Sequence, residues 1–207
     1  MKNNDIIQLF KEISKTIRDR KDELTKLDQE IGDSDHGINL ARGFSVVEEK
    51  LAELDGESIE AIVKAVSRAL ISNVGGASGI LYGSFFQKMV PVTQDKEEVD
   101  LALYIEMLEA GVDAIKQRGR SDFGEKTMLD VFIPYLNFLK ENTNKELSLL
   151  LSEATQEAKR QLEDTKDRLA TKGRAAYLGE RSIGHIDPGA MSAFLMIETV
   201  ESFVKSI

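Results

Sequence analysis

Asp28, Asp33 and Asp35 crowd into one short run, Leu27-Asp28-Gln29-Glu30-Ile31-Gly32-Asp33-Ser34-Asp35-His36-Gly37. Carboxylates this close repel one another, and stability alone gives no reason to gather them. A hard divalent cation relieves the repulsion, because Mg²⁺ and Ca²⁺ select oxygen ligands. Gly32 and Gly37 flank the acidic turn and let the backbone bend so that the carboxylates converge. The alternative is a solvated acidic loop that caps a helix. An EF-hand is excluded. Counted from Asp33, its fifth, sixth and twelfth positions hold Gly37, Ile38 and Phe44 rather than an oxygen ligand, Gly and Glu. Few carboxylates with coordination positions left over suit Mg²⁺ completed by water and phosphate oxygens.

Three further glycine-rich junctions carry groups suited to phosphate. Val74-Gly75-Gly76-Ala77-Ser78-Gly79 precedes a helical segment. Its free N–H groups favour an anion, and Ser78 adds a hydroxyl; tight helix packing is the competing reading. Gly119-Arg120-Ser121-Asp122-Phe123-Gly124-Glu125-Lys126-Thr127 nearly imitates a Walker A loop, but Glu125 separates Gly124 from Lys126-Thr127 and no strand precedes it. Thr127 more simply caps the next helix, and Met128 belongs to the core or lines an adenine pocket. Arg174, in Thr171-Lys172-Gly173-Arg174, is a phosphate or base partner or else an ion pair with one of many acids. Asp187-Pro188-Gly189 signals a turn and a helix start. Both histidines fall in these loops. His36 is read as a phosphate contact, with a turn-shaping hydrogen bond as the alternative; His185 is read as structural. No Ser-His-Asp or Cys-His nucleophile arrangement is present.

These loops need a scaffold, and the periodicity supplies helices. Ile6, Phe10, Ile13 and Ile17 share one helical face, as do Leu101, Ile105, Leu108, Val112 and Ile115. Thr143-Asn144-Lys145-Glu146 reads as a capping box and Ser58 as an N-cap. Pro134 falls inside the pattern and should kink its helix or lie near its start. The expected segments are 3–26, 37–54, 58–73, 77–90, 99–118, 127–141, 144–171 and 188–206. They make an all-α antiparallel bundle of about eight helices. In such a bundle the odd-numbered connections share one end, so the aspartate cluster and every glycine-rich junction meet at one rim.

The 207 residues suit one domain spanning 1–207. With no cysteine, disulfide, thiolate and zinc–thiolate chemistry are excluded. A net charge of −9, with a pI near 4.9 and no basic cluster, argues against a nucleic-acid partner. No run is apolar long enough to span a membrane, and the polar start lacks an apolar signal core, so a cytoplasmic location is expected.

Four runs in order, Ile31-Gly32-Asp33-Ser34-Asp35-His36-Gly37, Gly75 to Gly79, Gly124-Glu125-Lys126-Thr127-Met128-Leu129-Asp130, and Thr171 through Gly189, carry a resemblance. The chain resembles the nucleotide-binding L subunits of dihydroxyacetone kinases that work with the bacterial phosphotransferase system. The resemblance implies an antiparallel barrel of eight helices with a nucleotide at one rim. It assigns metal binding to Asp28, Asp33 and Asp35. It assigns nucleotide contacts to His36, Gly37, Ile38, Asn39, Ala77, Ser78, Gly119, Met128, Arg174, Asp187, Pro188 and Gly189. It also implies ADP/ATP with two Mg²⁺ ions, rephosphorylation by a phosphohistidine on an M subunit, and transfer to dihydroxyacetone on a K subunit. Two other functions remain open at this level. One is a kinase module exchanging free ATP for a related short ketose or polyol. The other is a nucleotide-state module docking a transcription regulator.

Overall fold

The computed structural model describes residues 1–207 and contains nine α-helices, three 3-10 segments and no strand. The first five helices are α1 (Asn3–Asp19), α2 (Lys21–Ile31), α3 (His36–Leu51), α4 (Ile59–Asn73) and α5 (Gly76–Met89). The rest are α6 (Leu101–Gly119), α7 (Leu129–Glu141), α8 (Leu147–Asp164) and α9 (Pro188–Ser206). No helix is long and apolar enough to cross a membrane.

The expected helix 3–26 is two helices. The chain breaks at Arg20 (φ −96°, ψ 11°), whose N–H reaches the carbonyls of Thr16 and Arg18 while its guanidinium pairs with Glu23. The break does not reverse the chain, since α1 and α2 both pack along α3 and along α9. The apolar stripe runs through it from Ile17 to Leu24, each fully buried. The expected helix 144–171 starts later and ends earlier. Glu146, not Thr143, caps α8, accepting from the N–H groups of Ser148 and Leu149 at 2.9 and 3.0 Å. At the far end the buried Thr165 hydroxyl turns back to the Leu162 carbonyl at 2.6 Å, and a 3-10 turn follows. Ser58 does cap α4, and Pro134 lies within α7.

Each helix from α3 onward packs against its neighbour in sequence, and α9 packs back on α1, closing a ring. One contiguous apolar core draws on all nine helices. Phe10 of α1, Phe85 and Phe86 of α5 and Phe132 of α7 meet inside it with ring centroids 4.9–5.4 Å apart. Gly111 of α6 faces this cluster, where an added Cβ would lie 2.5 Å from the Phe85 ring. One end of the barrel joins the N-terminus to the α3–α4 and α5–α6 connections. The Met1 ammonium donates to the Val99 carbonyl at 2.9 Å, and the Asn3 side chain donates to Glu57 at 2.6 Å. The other end carries the α2–α3, α4–α5, α6–α7 and α8–α9 connections.

Candidate functional site

At that second end the structure opens a cavity of about 960 Å³. Residues of all four glycine-rich junctions line it. Asp28 does not lie in the turn with Asp33 and Asp35. It sits on the last helical stretch of α2, with the turn wrapping round it. Its Oδ2 accepts from the N–H groups of Asp35 at 2.9 Å and His36 at 3.1 Å, so the carboxylate holds the start of α3. Gly32 fits beneath it only because it lacks a side chain: an added Cβ would lie 1.9 Å from Asp28 Oδ1 and 2.9 Å from the Asp28 carbonyl. Ser34 completes the turn with a left-handed backbone (φ 64°). One oxygen from each of the three carboxylates lies within 4.8 Å of the others. The Arg174 guanidinium reaches Asp33 Oδ2 at 2.6 Å, one cation against three carboxylates. An all-oxygen donor set with surplus negative charge fits a hard divalent ion.

The other expected contacts divide. His36, Ala77, Ser78, Gly119, Met128, Arg174, Asp187, Pro188 and Gly189 line the cavity. Gly37, Ile38 and Asn39 do not. Gly37 is the contact point of α2 and α3, where an added Cβ would lie 2.1 Å from the Lys21 carbonyl. Ile38 points outward, half exposed. Asn39 is buried behind the cavity wall and accepts from Arg42 at 2.8 Å, while Arg42 also donates to the Asn73 carbonyl that ends α4.

Beneath the cavity a polar network ties three helices together. His36 Nε2 of α3 lies 3.0 Å from Ser192 Oγ of α9, which lies 2.7 Å from the Tyr82 hydroxyl of α5. Burial pushes the His36 imidazole down to about 4, against the opposing pull of Asp28 and Asp35. The ring is therefore neutral near pH 7, and its Nε2 is engaged with Ser192 rather than turned to an anion. His185 keeps to the edge, 3.8 Å from Glu30. Asp187 caps α9 by accepting from the Ala190 N–H at 2.7 Å, and enclosure of its carboxyl, reinforced by nearby Asp130 and Asp28, raises it to about 7.

Residues 30–202 match the DAK2 domain family over most of the chain's length. The chain belongs to this family. It is 42% identical over 184 residues to the PEP-dependent dihydroxyacetone kinase, ADP-binding subunit DhaL, of Escherichia coli strain K12, covering 88% of each. It is 41% identical to an ADP-binding DhaL subunit of Listeria innocua, covering 94% of this chain and 93% of that one. The DAK2 domain also shares its fold with the crystal structure of the dihydroxyacetone kinase from C. freundii in complex with AMP-PNP and Mg²⁺. The TM-score is 0.77 at 23% identity, over 98% of this chain and 34% of that one. The DAK2 domain therefore spans about a third of that kinase.

Sequence reasoning passed over several residues that the DAK2 domain brings to the cavity. Arg118, Arg120, Lys126 and Lys172 join Arg174 around it. Five cationic residues thus line one cavity in a chain of net charge −9, although the Lys126 ammonium turns away from it to the Ser182 and Arg168 carbonyls. The near-Walker loop held part of the signal. Its Lys126 is only 1% exposed, and Asp130, fully buried, accepts from the N–H groups of Gly124 and Thr127 at 2.7 Å each and pairs with Arg168. Arg168 in turn lies 4.5 Å over the Phe123 ring.

Proposed function

We propose that this DAK2 domain is the ADP-binding subunit of a PEP-dependent dihydroxyacetone kinase. The observation that carries the reading is the single cavity where the cluster of Asp28, Asp33 and Asp35 meets Arg118, Arg120, Lys172 and Arg174 and the N-termini of α5 and α9. A nucleoside diphosphate with a divalent ion needs that mixture: carboxylates for the metal, cations and helix N–H groups for the phosphates, and apolar walls for a base. Asp28, Asp33 and Asp35 would hold Mg²⁺, which when bound neutralises phosphate charge. Bound ADP would accept a phosphoryl group from a phosphohistidine on an M partner, and the ATP so formed would give it to dihydroxyacetone on a K partner, which returns the nucleotide to ADP.

The chain's own residues position and neutralise. Phosphoryl transfer asks for these roles more than for a protein nucleophile. Arg174, now paired with Asp33, would be free to turn to phosphate oxygens if a metal held the carboxylates. The start of α5, where Gly76 adopts φ 69°, presents unpaired N–H groups to the cavity. Ile80, Leu81, Ile115 and Met128 supply apolar wall. Neutral His36, fixed by Ser192, shapes the floor without adding charge.

The test is the nucleotide content of the purified protein, read by acid denaturation and chromatography. About one ADP per chain after long buffer exchange with Mg²⁺ is expected for a site that closes round its ligand. A protein that is empty and binds neither ADP nor ATP overturns the assignment.

A further inference from the structure

Residues 168–184 leave the barrel after the 3-10 turn at Thr165–Asp167, cross the cavity edge as a 3-10 segment, Arg174–Ser182, and return towards α9. This strap carries Arg174 and Tyr177 into the cavity wall, and Tyr177 is 88% exposed. Its body touches α2, pairs Arg174 with Asp33 and joins a small apolar cluster of Ile31, Ala170, Ala175 and Leu178, while its first residues are tied to the 123–130 segment and α8 by Arg168 on Asp130 and Gln161 and by Thr171 and Lys172 on Glu125. Its two ends nevertheless come together in a closed neck. The Ala170 N–H donates to Ser182 Oγ at 3.0 Å, Ser182 Oγ donates to the Gly179 carbonyl at 2.8 Å, and the Gly184 N–H donates to the Lys166 carbonyl at 2.7 Å. With its ends closed between Ala170 and Ser182 and its body largely exposed, the segment has the form of an Ω-loop.

Lys126 plugs that neck from the barrel side. Its ammonium donates to the Ser182 carbonyl at 2.6 Å and to the Arg168 carbonyl at 3.2 Å, one on each end of the loop. Its backbone is left-handed (φ 61°), a conformation uncommon and strained outside glycine, and it directs the side chain inward. A buried ammonium is tolerated only where it is paired, and here the partners are two main-chain carbonyls with Asp187 and Asp167 nearby.

We infer that Lys126 is a positioning residue that staples the neck of the 168–184 loop, and through it holds Arg174 and the start of α9 in place for the phosphates. The ammonium acts through the loop rather than on the ligand. The inference deepens the nucleotide-site reading and rests on it for its second half only.

The test has two readouts on the full chain. In nucleotide-free Lys126→Met, the amides of Ala170 and Gly184 are expected to exchange about ten- to a hundred-fold faster than in wild type, as the loss of a charged hydrogen bond predicts. Amides of α4 and α5 keep wild-type rates. With Mg²⁺ present, release of ADP accelerates by about ten-fold or more. The chain has no cysteine, so Lys126→Cys can be alkylated selectively in denaturant and refolded. 2-Bromoethylamine restores an ammonium at that one position and is expected to restore both readouts, whereas the neutral adduct of iodoacetamide restores neither. Unchanged exchange at Ala170 and Gly184 overturns the staple, as does acceleration spread evenly over the protein. Faster neck exchange with unchanged ADP release overturns the positioning role. A wild-type protein that binds no ADP overturns the nucleotide reading, while the neck amides still decide the staple.

Discussion

Asp187 must carry its charge where the protein gives it little help. Its carboxyl is raised to about 7, chiefly by enclosure, while the Ala190 N–H at the head of α9 pulls the other way. In the unfolded chain it ionises near the ordinary carboxylate value, so between about pH 4 and 7 the folded protein keeps a proton that the unfolded chain has lost. The stability linked to this group is full at the acid end and lost as pH rises through about 7. Asparagine accepts the same cap hydrogen bond and never ionises. Nucleotide-free Asp187→Asn is therefore expected to match or exceed wild type in urea denaturation. The advantage grows from pH 5 to pH 8 and reaches ~1–2 kcal/mol once water in the open cavity is allowed for. A gap that is equal at both pH values, or smaller at pH 8, rules out the enclosed carboxylate. Asp33→Asn acts differently. It takes the charge from one of the three proposed metal-binding carboxylates and from the partner of Arg174, so nucleotide and metal are expected to leave together, with affinity down by more than about a hundred-fold. Calorimetric titration with Mg²⁺–ADP reads this directly, and wild-type affinity would argue that the cluster holds no metal. The acidic run and the Asp-Pro-Gly turn were legible as chemistry because their side chains announce it. Lys126, Tyr82 and Ser192 were not, because nothing local tells a buried polar side chain from a solvated one.

Gly37 shows how a pair of helices sets the distance between carboxylates. Asp28 rides on α2 and Asp35 precedes α3, and the two helices touch where Gly37 faces the backbone of Lys21 and Thr25. A methyl group there would lie 2.1 Å from the Lys21 carbonyl and 2.7 Å from the Thr25 nitrogen, main-chain atoms that cannot step aside. Gly37→Ala is expected to destabilise the protein by ~1–3 kcal/mol and to weaken Mg²⁺ binding with it. Gly56 lies at the opposite end with open space and φ 78°. Gly56→Ala is expected to cost ~1 kcal/mol in stability through backbone strain alone and to leave Mg²⁺ affinity unchanged. Equal metal affinity in the two variants would refute the spacing argument. Helix existence was legible from periodicity almost throughout, and the ends of α4, α5, α6 and α9 lie close to expectation. The break at Arg20 was not. It contains neither Gly nor Pro, and the apolar stripe passes through it from Ile17 to Leu24. The early end of α8 was hidden likewise, since a Thr165 hydroxyl that returns to the helix looks in sequence like any other polar residue.

The gathering of four loops at one rim followed from parity, and parity survived an extra helix because α1 and α2 run on in the same sense against α3. The sequence could not show how the ring closes. That depends on α9 finding α1, a contact between chain ends that no local pattern encodes. Closure has a consequence for ligand binding. Every helical pass ends in or begins from a loop at the cavity, and one core links all nine helices, so the site is not a detachable part of the barrel. A ligand that bridges the four loops should therefore stabilise the whole molecule as one cooperative unit. With ADP at about a hundred times its dissociation constant the gain is ~2.7 kcal/mol, which for a chain of this length moves the melting temperature by about 5–10 °C. The rise is expected only with Mg²⁺ present, because without it the three carboxylates repel the phosphates. Scanning calorimetry with ADP, with ADP and Mg²⁺, and with EDTA added to the latter separates the terms. A single transition that moves up with Mg²⁺–ADP and returns with EDTA is the expected pattern. A shift that survives EDTA would place the phosphates on the cations alone. A split into two transitions would mean that the rim melts apart from the barrel beneath it.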